Sequence, residues 1–339
     1  MRSKTEKNNA LTVEGPTPPV EQLNEIIAAA KKVMVISHMD PDGDSLGTTL
    51  AFGAYLKSLG KEVYMLRDGD IPHKYHFIAN IEDVIDASNC NKQIAIDTAV
   101  ILECPNVDRI GVASKCVDDH VRVINIDHHR DNDIFGELNW INTSASSVGE
   151  MAFEYFERVG FALDKAVAEQ LFVAIMTDTG RFRYRSTSGR TMEIAGKLID
   201  TGIDPQKITD SVYYNMRPST MILTGKVLNN IKFIADNKGC ILSLDQSLLD
   251  ETGADMTEAD GFVDFTLFSD GVVVGAFVKE IDKNRTKVSL RSKEEINVAE
   301  VAARFGGGGH YNAAGFTLEM DINAAIEKVT DLLNEVLHG

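Results

Sequence analysis

The segment Ser37-His38-Met39-Asp40-Pro41-Asp42-Gly43-Asp44-Ser45-Leu46-Gly47 crowds three carboxylates and an imidazole into a turn bent by Pro41 and Gly43. Asp42 and Asp44 can both aim inward from such a turn, and His38 joins them from the end of the preceding strand. A solvated acidic loop with a helix cap at Asp44 or Ser45 uses the same residue types, so the meaning of the turn depends on its company. Three further segments supply that company. Ile94-Ala95-Ile96-Asp97-Thr98 reads as an apolar strand ending in an aspartate. Asn125-Ile126-Asp127-His128-His129-Arg130 sets two adjacent histidines behind an aspartate, in a chain with only eight histidines. A carboxylate beside an imidazole suits a metal ligand whose ring must be oriented. In Met176-Thr177-Asp178-Thr179-Gly180 a helix runs into an aspartate and a glycine turn. An acid at a helix C-terminus is opposed by the helix dipole, so Asp178 needs a compensating cation.

Together these element ends deliver His38, Asp42, Asp44, Asp97, His128 and Asp178. The donors are oxygen and imidazole, with no thiolate. That favours a hard or borderline octahedral ion, Mn²⁺ or Mg²⁺, over structural zinc. So many ligands exceed what one ion needs. Two ions sharing a bridging carboxylate would use them all, at a separation of roughly 3.5–4 Å suited to in-line attack of water on phosphorus.

The elements that position these residues alternate. Lys32–Ser37, Glu62–Leu66, Gln93–Ile96 and Val121–Ile126 read as strands; Ser45–Leu59, Ser147–Val159 and Asp164–Met176 read as helices. Such alternation predicts an α/β domain, a mostly parallel sheet with helices on both faces and ligands at the carboxyl ends of its strands. Helical signals continue through Thr191–Thr201, Asp204–Tyr214 and Ser219–Asn230. Strands return at Cys240–Leu244, Val272–Lys279, Lys287–Arg291 and Ala314–Leu318, with helices at Val298–Phe305 and Ile322–Leu337. The expected organisation is a mobile N-terminal tail over 1–20, a catalytic domain over 21–200, a helical connector over 201–234 and a smaller α+β domain over 235–339.

A chain of 339 residues suits two domains. No apolar run is long enough to span a bilayer, the first residues lack a signal-peptide core, and a cytoplasmic location is the default. Cys90, Cys104, Cys116 and Cys240 have no pairing suited to a zinc site or a disulfide framework. The net charge of −17 argues against gripping duplex nucleic acid by its backbone. It leaves small nucleotides and short RNA open as substrates, because bound cations invert the local field.

The ordered set HxxxDxD, DT, DHH and TDTG resembles the DHH phosphoesterase superfamily, which includes RecJ-type exonucleases, family II pyrophosphatases and cyclic-dinucleotide phosphodiesterases. Near the other end, Phe305-Gly306-Gly307-Gly308-Gly309-His310-Tyr311 is similar to the GGGGH signature of the DHH-associated (DHHA1) C-terminal domain. The resemblance covers nearly the whole chain beyond the first twenty residues. The arrangement looks like the bifunctional oligoribonuclease/PAP phosphatase (nanoRNase) type. It implies two Mn²⁺ ions, with Mg²⁺ or Co²⁺ as substitutes. His38, Asp42 and Asp97 would hold one; Asp44, Asp97, His128 and Asp178 would hold the other, with Asp97 bridging. Asp127 would support the ligands, and His129 would face the scissile phosphate as ligand or proton donor. Gly307, Gly308, Gly309 and His310 would bind the substrate's terminal phosphate or nucleotide, as consecutive glycines let backbone N–H groups approach an anion. Asp40 stands where the family often has Asn, and no role is assigned to it.

Arg181, Arg183, Arg185 and Arg190 follow Asp178; Lys283, Arg285, Lys287, Arg291 and Lys293 gather in the small domain. Most of the second group reads as the solvated face of a strand. Arg291 is the exception, resembling the Arg–Ser pair ahead of the associated domain's helix, and it is expected to clamp phosphate. Tyr184 and Tyr311 suit either base stacking or packing. The expected activity is hydrolysis of short oligoribonucleotides to mononucleotides and of 3′-phosphoadenosine 5′-phosphate (PAP) to AMP and phosphate, by a protein without membrane partners and with a homodimer allowed. Rival readings are a linear or cyclic dinucleotide phosphodiesterase, a pyrophosphatase or exopolyphosphatase, and a non-catalytic nucleotide-binding module. With Asp97 as the bridge, its replacement by Ala is expected to abolish activity and leave the fold intact.

Overall fold

The computed structural model describes residues 10–89, 95–259, 261–293 and 295–338. These divide into two compact units with the boundary between Asn215 and Met216. The helices of 201–234 are accordingly shared between the units rather than forming a separate connector.

The first unit is built on seven strands: β1 (Leu11–Glu14), β2 (Lys32–Ile36), β3 (Glu62–Arg67), β4 (Val84–Asp86), β5 (Thr98–Leu102), β6 (Arg122–Asp127) and β7 (Leu138–Ile141). All neighbours pair in parallel, in the order β1-β7-β6-β5-β2-β3-β4. The order reverses direction between β2 and β5. In open α/β sheets, ligands sit in that crevice, outside the carboxyl ends of the strands. Within the tail expected to be mobile, residues 1–9 lie outside the described residues and Leu11–Glu14 is strand β1, paired to β7 and secured by the Trp140 indole N–H, which donates to the Gly15 carbonyl at 3.0 Å.

Side chains alternate across the sheet. Val33, Val35, Val100, Leu102, Ile124 and Ile126 face one layer, packed by helices α1 (Val20–Ala29), α2 (Gly43–Ser58), α3 (Val148–Val159), α4 (Lys165–Asp178), α5 (Gly189–Asp200) and α6 (Pro205–Tyr213). Met34, Ile36, Ala99, Ile101, Val121 and Val123 face the other, where the 3₁₀ turns of Val107–Cys116 supply Ile110 and Ala113. The helices start where side chains cap them: Asp42 for α2, Ser147 for α3, Asp164 for α4, Ser188 for α5 and Asp204 for α6. Two glycines bring α2 against α4. A Cβ at Gly47 would lie 2.3 Å from the Gln170 carbonyl oxygen, and one at Gly43 would lie 2.3 Å from Thr177 Oγ1. That close approach delivers the acidic turn at the head of α2 to Asp178 at the foot of α4.

The second unit holds α7 (Pro218–Asn229), β8 (Lys232–Ile234), β9 (Gly239–Leu244), α8 (Gln246–Thr252), β10 (Val274–Asp282), β11 (Arg285–Ser292), α9 (Val298–Ala303), β12 (Gly308–His310), β13 (Ala313–Leu318) and α10 (Ile322–His338). Its mixed sheet runs β12-β13-β11-β10-β9-β8, with only β9 and β10 parallel. Val329, Leu332 and Leu333 of α10 and Val298, Val301 and Ala302 of α9 complete its core. This is the smaller α+β domain that the sequence predicts.

Candidate metal centre

The carboxyl ends of three adjacent strands, β6, β5 and β2, converge on one spot. His38 follows β2, Glu103 follows β5, and His128 follows β6, which ends at Asp127. A carbonyl can only accept, so His38 donates its Nδ1–H to the Met39 carbonyl at 2.8 Å. Nε2 is thereby turned toward Glu103 Oε2 at 3.7 Å and Asp42 Oδ1 at 3.9 Å. His128 is fixed in the same manner, Nδ1–H to the Ala145 carbonyl at 3.2 Å, with Nε2 3.5 Å from Asp178 Oδ2. Both imidazoles thus present Nε2, the tautomer a metal ligand needs.

Glu103 was not anticipated from the sequence, and it takes the place assigned there to Asp97. Asp97 lies at the opposite edge of the sheet. It precedes β5, its N–H donates to the Lys32 carbonyl, and its carboxylate accepts from the N–H groups of Lys31 at 2.9 Å and Lys32 at 3.0 Å. Partial burial would raise its pKa, but those N–H groups and the Thr98 hydroxyl hold it below the ordinary carboxylate value. The strand expected over Gln93–Ile96 falls partly outside the described residues, and the observed one begins at Thr98. Six residues of extended chain, at about 3.3 Å each, put Asp97 roughly 20 Å from the carboxyl end. Glu103 is only 3 % exposed, and its Oε2 has no hydrogen-bond partner. Its φ of +55° lies in the left-handed region, an uncommon conformation for a residue with a side chain.

Among the described residues of this unit, two triads bring their ligand atoms within 4.8 Å of one another: His38, Asp42 and Glu103, and Asp44, Glu103 and His128. Glu103 belongs to both. Asp44 is fully buried and accepts from the Val148 and Gly149 N–H groups that open α3, at 2.7 and 2.8 Å, and from Thr48 Oγ1. Burial and the neighbouring charge of Asp42 nevertheless push its pKa up to about 7. Burial also raises Glu103 and Asp178 well above the usual range, helped by the charges of Asp42 and Asp44 on both and of Asp178 on Glu103. Buried carboxylates that repel one another, and that among the described residues pair with imidazoles rather than with a lysine or arginine, fit a site for divalent cations.

Asp127 has a different part. Burial would raise its pKa, but the hydrogen bond and charge of His129, with the Asn132 amide, bring it to about 2. Its Oδ1 accepts from His129 Nδ1 at 2.7 Å and from the His128 N–H at 2.8 Å. Burial would lower the pKa of His129, and the Asp127 contact raises it above the ordinary histidine value. Asp40 also has a positive φ, +58°, and its N–H donates to the Asp68 carbonyl. Asp and Asn are the side chains that best tolerate that region, so Asp40 serves as a turn residue.

The arginines after Asp178 separate. The Arg181 guanidinium stacks 4.6 Å over the Tyr213 ring, and Arg183 lies over Tyr184 at 5.2 Å. Arg190 joins Glu154, Glu157 and Glu193 at 2.6–2.8 Å, and Lys197 reaches Glu193 at 3.3 Å. That network ties α5 to α3. Its connectivity exceeds that of an isolated surface pair, so replacing Arg190 by Ala is expected to lower stability by about 1–2 kcal/mol, with kcat/KM unchanged. Urea unfolding alongside an activity assay checks both.

In the second unit the glycine run is a turn followed by an edge strand, not a loop open to an anion along its length. Gly308–His310 pair with Ala313–Gly315, and a Cβ at Gly307 or Gly309 would meet the β13 backbone at 2.1 or 2.5 Å. Gly308 and His310 are exposed. Arg291, expected to be a phosphate clamp, has its Nε 3.0 Å from Asp264 Oδ1 and one terminal nitrogen 3.1 Å from the Leu290 carbonyl. The Tyr311 hydroxyl donates to the Glu295 carbonyl.

Comparison with known proteins places this geometry. The model of the DHH family N-terminal domain matches residues 32–175, and that of the DHHA1 domain matches residues 236–338. A bifunctional oligoribonuclease and PAP phosphatase of Thermus thermophilus is 31% identical over 316 residues, covering 92% of this chain and 93% of the relative. Its Bacillus subtilis counterpart is 24% identical over 300 residues, covering 88% and 92%. The crystal structure of an exopolyphosphatase-related protein from Bacteroides fragilis superposes with a TM-score of 0.86 at 27% identity, covering 94% of this chain and 95% of that one. Manganese-bound exonuclease RecJ shares the fold at 15% identity, with a TM-score of 0.50 and 96% of each chain covered. The chain therefore belongs to the DHH family of phosphoesterases, hydrolases that here carry both the DHH and the DHHA1 domain.

Proposed function

We propose that the protein hydrolyses short oligoribonucleotides to mononucleotides and PAP to AMP and phosphate, using two divalent cations, with manganese as the preferred ion. The observation that carries this reading is Glu103, shared between two ligand triads at the point where the strand order reverses. The oligoribonuclease and PAP phosphatase activities of the Thermus and Bacillus relatives support the substrates.

His38, Asp42 and Glu103 would hold one cation; Asp44, Glu103, His128 and Asp178 would hold the other. When bound, such a pair supplies positive charge to the phosphoryl oxygens and acidifies water for in-line displacement. The chain's own residues do the remainder. His38 and His128 are locked by their Nδ1 hydrogen bonds, so their Nε2 atoms are aimed without reorganisation. The Asp127 contact at Nδ1 favours the protonated ring of His129, and in that form Nε2–H would be offered to a phosphoryl oxygen. The site lies largely buried beneath the ends of three strands, and burial strengthens each of these contacts. In the second unit, Gly308, His310 and Arg291 would bind a nucleotide phosphate.

The test is Mn²⁺-dependent product release from PAP, pApA, a three-to-five-nucleotide RNA, cyclic di-AMP and pyrophosphate. AMP from PAP together with mononucleotides from short RNA is the expected result. Turnover of pApA or cyclic di-AMP alone would overturn it.

A further inference from the structure

An amide side chain in the middle of a buried parallel strand needs a reason. Asn125 sits within β6, fully buried, on the sheet face it shares with Val121, Val123 and Ile101. A β-branched residue would suit that position better, and an unsatisfied amide would be costly there. Its Nδ2 lies 3.3 Å from the Ile101 carbonyl and 3.1 Å from the Cys104 carbonyl. Those two carbonyls flank the place where the chain leaves β5 and turns through Glu103 in the left-handed region. A second amide completes the arrangement. Asn132 Nδ2 lies 2.6 Å from Asp127 Oδ2, 2.8 Å from Asn125 Oδ1 and 3.2 Å from the Cys104 carbonyl. Its Oδ1 accepts from the Ile134 N–H at 2.8 Å, which pins the loop that carries it.

We infer that Asn125 and Asn132 act as paired positioning residues, fixing the turn that carries Glu103 relative to the Asp127–His129 segment. The inference rests on the two-cation reading and deepens it. Asn132 occupies Asp127 Oδ2 and so leaves Oδ1 to the His128 N–H and to His129 Nδ1. Through Cys104 both amides hold the residue after the shared carboxylate. Being neutral, they align the segments without adding a charge to a crowded acidic site. An amide suits the task because its nitrogen carries two hydrogens and can serve two acceptors at once while its oxygen accepts from a third group.

The experiment uses the full chain and two substitutions: Asn132→Ala, and the isosteric Asn132→Asp, which retains the acceptor for Ile134 and replaces the donor. Mn²⁺ affinity and stoichiometry are measured by calorimetry, kcat and KM by hydrolysis of PAP and short RNA, and thermal unfolding in EDTA. Both variants are expected to lose about 10–100-fold in kcat and in Mn²⁺ affinity, the range for partners that orient metal ligands, with KM within about threefold of wild type. The metal-free melting temperature is expected to stay within a few degrees. Wild-type kcat and Mn²⁺ affinity in both variants would overturn the inference and leave the two-cation reading intact. A loss confined to KM, or one explained by unfolding of both variants, would equally overturn it as a merely structural role. A wild-type chain that binds no Mn²⁺ overturns both.

Discussion

Replacing Glu103 by Gln is expected to lower kcat/KM by more than about 100-fold, beyond the 10–100-fold typical of residues that only orient ligands. The substitution keeps the side chain's shape and removes the one charge that both ligand triads share. Cation stoichiometry should fall from two to at most one. The same change should leave the metal-free protein no less stable, because it removes an ionisable group buried among Asp42, Asp44 and Asp178. Asp97→Asn is the contrast. That residue caps the start of β2 from the amino edge, so activity within about twofold of wild type and a stability loss of about 1–2 kcal/mol are expected. Steady-state hydrolysis and Mn²⁺ calorimetry on the two variants decide the matter. An inactive Asp97→Asn beside an active Glu103→Gln would return the shared ligand to the position first read from the sequence.

The second large effect is the response of stability to pH and metal. Asp44, at about 7, and Glu103 and Asp178, both raised, bind protons more tightly in the folded state than in the unfolded chain. Each therefore contributes stability fully present below the unfolded pKa, near 4, and lost as pH rises through the folded one. The metal-free protein is expected to melt at a lower temperature at about pH 8 than at about pH 5. Asp127, held at about 2, has the opposite sign: its contribution is present above about pH 4 and lost in stronger acid. Saturating Mn²⁺ should reverse the loss, since binding requires the deprotonated ligands and releases their protons. At about 100 times the dissociation constant it adds about 2.7 kcal/mol, which for a unit of this size is roughly 5–10 °C. Calorimetry with EDTA or Mn²⁺ at both pH values reads the effect directly. A metal-free melting temperature that climbs from pH 5 to 8 and ignores Mn²⁺ would sink this account.

The sequence is a good guide where local chemistry is dense. The turn from His38 to Asp44 and the Asp127-His128-His129 run stand where the spacing puts them, because a strand end and a helix cap both leave strong local signals. Asp97 shows the failure mode. A short apolar run precedes it and a longer one, Ala99–Leu102, follows, and taken alone the shorter run reads as a strand just as readily. Shifting the strand past Asp97 carries that carboxylate from one edge of the sheet to the other and brings Glu103 to the site. The cue was available in β-branched Thr98, Val100 and Ile101. The short edge elements were equally hidden. β1 lies in a polar segment, and β12 is mostly glycine, so each is specified by its partner's backbone rather than by a side-chain pattern. Asn125 and Asn132 carry no motif, since their partners are carbonyls brought near only by the fold.

The parallel pairing of β1 with β7 bears on the order of assembly. Leu11 is made well before Leu138, yet the two are neighbours in the sheet. At about 5–20 residues per second, the strand emerges from a ribosome roughly ten seconds before its partner exists. During that interval it has no sheet to join, and afterwards it must close a loop spanning most of the domain. The outer margin of the catalytic unit is therefore expected to form late, after the three strands that carry His38, Glu103 and His128 have already registered against one another.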